Sequence, residues 1–280
     1  KRYSGLDLRG RGSLNTTIVK MASAIEPEWL LDLFPDDLRE ETEINWNVKS
    51  ERIEIVNRFY YDCLVIDEKR MDEKSGRNNL SDEDEERITR TLAEAALSSG
   101  LQKFIEPEII DRLIARIEFL RSVVKDETLP LPGEDDVRDA LFELCKGKRS
   151  FAELRSAINR GELIDLLREH LSPAQNSMLE RLAPESISLP ARRRIQVNYG
   201  KGKSPWIESR LQDFFGLSKG PAIANGRVPL VLHLLAPNQR PVQVTTDLAG
   251  FWIRHYPQIR RELSRRYPRH AWPENPLVKG

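Results

Sequence analysis

Two changes of hydrophobic period, close together near the C-terminus, constrain this chain most. An apolar run, Val228 to Leu235, meets the polar turn Pro237-Asn238-Gln239-Arg240, and a second run from Val242 to Thr246 alternates apolar and polar residues. That pattern predicts a β-hairpin with a four-residue loop. Asp247 follows as a candidate N-cap, and Leu248, Phe251 and Trp252 then recur at helical spacing. After a turn at Tyr256-Pro257 comes a short arginine-rich helix, and the segment closes on Tyr267-Pro268-Arg269-His270-Ala271-Trp272-Pro273. A hairpin feeding directly into helices points to an α+β fold. Within it Asp247 is expected to cap, Arg240 to make a loop contact, and Phe251 and Trp252 to anchor the core.

The rest of the chain reads as three parts: a small β-rich domain over 1–75, a helical domain over 76–185, and a basic α+β domain over 186–280. Arg9-Gly10-Arg11-Gly12 is read as a loop, and Thr16 to Ile25 alternates like a strand. Glu26-Pro27-Glu28 opens a short helix that carries Trp29, Leu30, Leu33 and Phe34. Three strands follow, around Ile44, Trp46 and Val48, around Ile53 and Ile55, and around Leu64 to Ile66. Short strands with an inserted helix fit a small antiparallel barrel or sheet, of which the oligonucleotide-binding fold is one form. Tyr60 and Tyr61 either stack on bases or cover the sheet. Met71 to Glu86 is nearly free of hydrophobic residues and marks a boundary, with Ser81 as the next N-cap. From Arg87 to Leu182 the pattern is helical, about five helices interrupted at Leu129-Pro130-Leu131-Pro132-Gly133, with Gly147 as a C-cap. Pro184 to Pro190 reads as a linker. Ile195, Val197 and Tyr199 alternate in a strand, and Trp206, Ile207, Leu211, Phe214 and Phe215 predict a short amphipathic helix ending at Gly216.

Charge is neutral overall but uneven. From Ser186 onward there are 16 basic and 5 acidic residues, a balance of +11, which leaves 28 basic and 39 acidic before it, a balance of −11. Either the basic end is a binding module or the two portions attract and neutralise each other. Cys63 and Cys145 are too few and too far apart for a disulfide framework, so a reducing cytoplasm is expected. No run reaches the roughly 18 apolar residues of a membrane span, and no membrane partner is expected. Lys1 in first place suggests a piece of a longer protein.

The search for catalytic groups turns up none. There is no GxxxxGK[ST] phosphate loop; Gly200-Lys201-Gly202-Lys203-Ser204 lacks the opening glycine and reads as a surface turn. His170, His233, His255 and His270 fall in no zinc spacing, and His233, in an apolar strand, reads as a buried or sheet-face histidine. What remains is binding chemistry. Guanidinium groups hold phosphates and aromatic faces stack unpaired bases. The expected nucleic-acid set is Arg192, Arg193, Arg194, Arg260, Arg261, Arg265, Arg266, Tyr267, Arg269 and Trp272. The alternative is that these arginines cap helix ends or pair with the acidic portion.

The C-terminal motifs resemble the signature of the HrpB-type ATP-dependent helicases, bacterial relatives of the DEAH-box RNA helicases. They are Gly226-Arg227-Val228-Pro229-Leu230, Gln239-Arg240-Pro241-Val242-Gln243, Asp247-Leu248, Phe251-Trp252 and Arg266-Tyr267-Pro268-Arg269-His270-Ala271-Trp272-Pro273-Glu274. Leu211-Gln212-Asp213-Phe214-Phe215-Gly216 and the strand entering at Arg194 also match. Ser264-Arg265 stands where the family has a glycine, and Asn275 replaces an acid. Glu43-Ile44-Asn45-Trp46-Asn47, Arg52 to Arg58 and Cys63 to Glu68 resemble the family's degenerate oligonucleotide-binding-like domain; the helical middle is less similar. The resemblance implies an accessory C-terminal region whose upstream motor domains bind ATP and Mg, with no cofactor in this chain itself. Implied partners are those motor domains and single-stranded RNA or DNA. A protein-interaction scaffold without nucleic-acid contact is the competing expectation.

Overall fold

The computed structural model describes residues 29–30, 33–71, 80–189 and 194–277. The alternating segment at 16–25 and the Arg-Gly run at 9–12 lie outside them, as does most of the helix expected around Trp29. The fold is α+β: an antiparallel sheet, a helical middle, and a C-terminal part built on a mixed sheet. The chain divides into two compact units, residues 1–95 with 147–151, and residues 96–146 with 152–280.

In the first unit, β1 (Leu38–Asn47), β2 (Arg52–Tyr61) and β3 (Leu64–Arg70) form a three-stranded meander in that order. Ile53 and Val56 of β2 are both buried; three apart, they point to opposite faces of the strand. Val48, expected to end the first strand, sits in the turn instead and is 77 % exposed. Asn47 explains the turn, because its side-chain carbonyl accepts from the amides of Lys49 at 2.9 Å and Ser50 at 3.1 Å. The return of Gly147–Phe151 to this sheet was not visible in the sequence. Ile53 N donates to Arg149 O at 2.7 Å, Phe151 N donates to Glu51 O at 3.0 Å, and the Phe151 ring lies 4.3 Å from that of Trp46.

The helical stretch resolves into α1 (Asp82–Ser99), α2 (Pro107–Val124), α3 (Glu134–Cys145), α4 (Phe151–Asn159), α5 (Glu162–Arg168) and α6 (Pro173–Leu182). Two of them start on a serine cap. Ser81 Oγ accepts from Asp84 N at 3.1 Å, and Ser172 forms a capping box with Gln175 ahead of Pro173. Lys146 ends α3 and Gly147 follows it at φ 69°, the left-handed position that favours glycine. Leu113, Ile117 and Leu120 of α2 and Leu141, Leu144 and Cys145 of α3 form the buried stripes.

The C-terminal part departs from expectation in four places. Pro184–Pro190 is not only a linker: β4 (Ser186–Ser188) pairs antiparallel with β5 (Arg194–Gln196). The alternation of Ile195, Val197 and Tyr199 holds, and all three are buried, but it is shared between β5 and β6 (Asn198–Gly200). The helix expected from Trp206 is a strand, β7 (Lys203–Arg210), followed by one 3-10 turn over Leu211–Phe214. Pro205, Ile207 and Ser209 are buried in alternation, the period of a strand, and the strand's partner comes from Val231–Leu235, later in the chain. Only Leu211 and Phe214 keep the helical spacing, and both are fully buried.

The expected hairpin is present as β10 (Val231–Leu235) and β11 (Pro241–Thr245), closed by Ala236 N to Arg240 O at 2.8 Å. Its first strand does not begin at Val228. Val228–Pro229 is a separate strand, β9, pairing with β8 (Ala222–Ile223), and Leu230 N turns back to Pro221 O at 3.1 Å. β10 also runs parallel to β7, giving the four-stranded order β11-β10-β7-β6. A parallel pair needs a long crossover, and residues 211–230 supply it. The chain then finishes as α7 (Leu248–Arg254) and α8 (Tyr256–Arg266).

Candidate nucleic-acid interface

Asp247 fixes how α7 leaves the sheet. Its Oδ1 accepts from Gly250 N at 2.8 Å, and its Oδ2 accepts from Arg254 Nη2 at 2.7 Å. The backbone donor first, and Arg254 second, hold its carboxyl below the ordinary carboxylate value. Gly250 belongs to this arrangement, since a Cβ there would stand 2.0 Å from Asp247 Oδ2 and 2.1 Å from Arg254 Nη2. A depressed pKa stabilises the fold above the unfolded carboxyl value and loses that contribution as pH falls through the folded value. Asp247→Ala is therefore expected to lower the melting temperature by roughly 2–4 °C at neutral pH, and the gap should narrow as pH falls below the ordinary carboxylate value. A gap that stays constant across an acid pH series of thermal melts would remove the charge from the explanation.

Phe251 and Trp252 face inward, 1 % and 6 % exposed, beside Tyr256 at 1 %. The Trp252 ring meets Tyr256 edge-on at 5.2 Å and Phe215 at 5.9 Å, and its Nε1 donates to Leu217 O at 2.8 Å. Tyr256 donates its hydroxyl to Pro273 O at 2.8 Å. Burial pushes its phenol up to about 12 from 10. A raised pKa means that the unfolded chain releases its proton first, so stability falls as pH rises from 10 towards 12. Tyr256→Phe is expected to flatten that alkaline decline in urea unfolding; an unchanged slope between pH 9 and 12 would contradict it.

The last residues are strapped onto α8. Arg260 Nε donates to Trp272 O at 2.9 Å and its Nη2 lies 3.3 Å from Glu274; Trp272 Nε1 donates to Tyr267 O at 3.0 Å. Arg260 and Trp272, both in the expected nucleic-acid set, are thus half-buried and engaged within the chain. Arg261, Arg265, Arg266 and Arg269 are exposed, and among the described residues none has a carboxylate partner. Arg266 lies over the Tyr267 ring at 5.8 Å. Arg261 and Arg265 are four apart on the face opposite buried Tyr256 and Leu263. Arg194 belongs to β5, away in sequence from this cluster, and Arg192 and Arg193 lie outside the described residues.

Arg116 was missed in the sequence. It is 2 % exposed on α2, where its Nε donates to Ala183 O at 3.0 Å, its Nη1 pairs with Glu185, and its Nη2 lies 3.3 Å from Glu180. The available signal was an arginine at core spacing between Leu113 and Leu120, which reads as an apolar stripe when the charge is overlooked. His233 lies on the sheet, 3.2 Å from Glu208 and stacked on Trp206 at 6.2 Å. Among the described residues no group of three or more His, Cys, Asp or Glu is placed to hold a metal ion, and no helix is long and apolar enough to cross a membrane.

Residues 141–276 match the family model described as ATP-dependent helicase C-terminal, HrpB_C. A segment of 115 residues, 41 % of this chain, is 39 % identical to the ATP-dependent RNA helicase HrpB of Escherichia coli strain K12, and it spans 14 % of that relative. The crystal structure of the E. coli DExH-box NTPase HrpB superposes over 91 % of this chain and 31 % of its own, with a TM-score of 0.59 at 24 % identity. A crystal structure of the E. coli DEAH/RHA helicase HrpB superposes over 87 % of this chain and 30 % of its own, with a TM-score of 0.51 at 24 % identity. At these identities the structural likeness speaks to the fold.

Proposed function

We propose that this chain, whose residues 141–276 belong to the C-terminal family of HrpB-type ATP-dependent helicases, assists its parent enzyme by holding single-stranded nucleic acid and docking on the motor domains. ATP and Mg would bind in those domains. The observation that carries the reading is the exposed cluster Arg261, Arg265, Arg266 and Arg269, which has no carboxylate partner among the described residues. Helix-end arginines gain a little from the macrodipole, but Arg261 and Arg265 at i and i+4 repel by roughly 0.2–0.5 kcal/mol. A strand of phosphates relieves that repulsion. Tyr267, half-buried beside Arg266, supplies a ring face next to the charge. The β1–β3 sheet, in this reading, is an oligonucleotide-binding-like element.

The test is salt-dependent binding of a fluorescent single-stranded RNA, followed by anisotropy. Each phosphate contact on a single strand contributes about 0.7 to the slope of log affinity against log salt. Arg265→Ala with Arg266→Ala should flatten the slope by roughly 1.4 without altering the melt. Tyr267→Ala should weaken binding and leave the slope nearly unchanged. No detectable binding at low salt would give the arginines to a protein partner and favour the scaffold reading. The chain alone is expected to release no phosphate from ATP, because its sequence has no phosphate loop; turnover above buffer would contradict that.

A further inference from the structure

A second place on the second unit gathers positive charge, and it is concave. α2 presents Ile109, Arg112, Leu113 and Arg116 at spacings of three and four, so these side chains share one helix face. Opposite runs the β4–β5 hairpin, in which Ser186 pairs with Gln196 and Ser188 with Arg194. The pleat sends Ile195 into the core and leaves Arg194 and Gln196 on the other side. Between helix and hairpin lies an open cleft of about 420 Å³.

Its lining divides by chemistry. Ile109, Leu113 and Ile164 make an apolar part, while Arg112, Arg194, Ser186 and Gln196 bring polar groups to the same space, together with the Glu185 carboxylate, which Arg116 holds. Arg116 also reaches the cleft, but Glu185 and Glu180 already neutralise it. Arg112 and Arg194 are different. With its amide oxygen turned towards α2, Gln196 accepts from Arg112 Nε at 3.1 Å, and Arg194 Nε donates to Ser186 Oγ at 3.2 Å. Both partners are neutral, and among the described residues neither guanidinium has a carboxylate. The two guanidiniums therefore keep their full charge while lining one cleft beside apolar side chains.

We propose that this cleft is a nucleotide site, in which Arg112 and Arg194 hold the phosphate and Ile109 and Ile164 take the nucleoside. Guanidinium pairs match phosphate oxygens in geometry and stay charged at all relevant pH. A cleft in which an apolar wall faces converging polar groups suits a small ligand with one charged end. The same chemistry is offered by a free nucleotide and by one nucleotide of a single strand. The strand source rests on the nucleic-acid reading above; the free-nucleotide source does not.

The test follows the Ile109 and Ile164 methyl signals by NMR on the whole 280-residue chain, titrated separately with AMP, octauridylate and inorganic phosphate. AMP or octauridylate is expected to shift both methyls. A response to octauridylate alone assigns the strand, and a response to AMP alone assigns a free nucleotide. Arg112→Ala with Arg194→Ala should weaken the response tenfold or more. Gln196→Glu, which hands Arg112 a carboxylate with almost no change of shape, should do the same, and it covers the case in which the double variant does not fold. Arg265→Ala with Arg266→Ala should leave the AMP response intact, so failure of the α8 reading and failure of this one give different results. Unmoved methyls, a Gln196→Glu chain that binds like the parent, or inorganic phosphate binding as tightly as AMP would each overturn the nucleotide site.

Discussion

Trp252→Ala is expected to destabilise the C-terminal part by about 3–5 kcal/mol, the range for truncating a buried aromatic. The indole is 6 % exposed and touches Phe215, Phe251 and Tyr256, so the void it leaves is walled by rings that cannot collapse without leaving their own rotamers. The hydrogen bond from Nε1 to Leu217 O at 2.8 Å is lost as well, leaving a carbonyl to find water. Trp252→Phe separates these terms. It keeps most of the contact with Tyr256 and removes the donor, so its loss should be well under half that of alanine. Urea unfolding watched by near-ultraviolet circular dichroism reads the cluster directly. An alanine variant within 1 kcal/mol of the parent would mean that the cluster does not hold the end of the chain.

The parts that were legible in the sequence are those decided by neighbours in the chain. Asp247 caps α7 because its side chain reaches Gly250 N three residues on. Ser81 and Ser172 cap their helices by the same local geometry. The hairpin at Pro237–Arg240 needed only a polar turn between two apolar runs. What stayed hidden was decided at a distance. β7 is a strand because Val231–Leu235, over twenty residues later in the chain, offers it a parallel edge; the helical spacing of Leu211 and Phe214 masks the boundary at Arg210. Nothing local to Gly147–Phe151 announces that it returns to Glu51 and Ile53.

The candidate site divides along the same line. Exposure of Arg261 and Arg265 follows from their helical angle relative to Leu263, which the sequence contains. The engagement of Arg260 with Trp272 and Glu274 does not, because it requires the chain to fold back after Tyr267. Count of arginines therefore overstated the free charge on α8, and spacing on α2 understated the charge near β4 and β5. A basic balance in sequence is a sum over groups, while binding depends on which of them have already found a partner.

Arg116 is the strongest example, and replacing it carries the second large expected effect. Arg116→Met keeps an unbranched apolar stem in a site that is 2 % exposed, yet removes the donor to Ala183 O and the partner of Glu185 and Glu180. Breaking a fully buried pair costs about 3–5 kcal/mol, chiefly because the remaining charge is stranded. Here the remaining charges are not stranded. The Glu180 and Glu185 side chains are 49 % and 61 % exposed and can rehydrate, and Arg168 still lies 2.9 Å from Glu180. The loss should therefore be smaller, about 2–3 kcal/mol, dominated by the orphaned carbonyl and by Glu185 leaving the end of α6. Arg116→Lys, with one charge but no fork, should fall between the two. The Glu185→Gln chain should lose under 1 kcal/mol, since its carboxylate is the exposed member. Urea midpoints for the three variants give the ordering. An Arg116→Met chain more stable than the parent would show that the arginine's desolvation outweighs its three bonds.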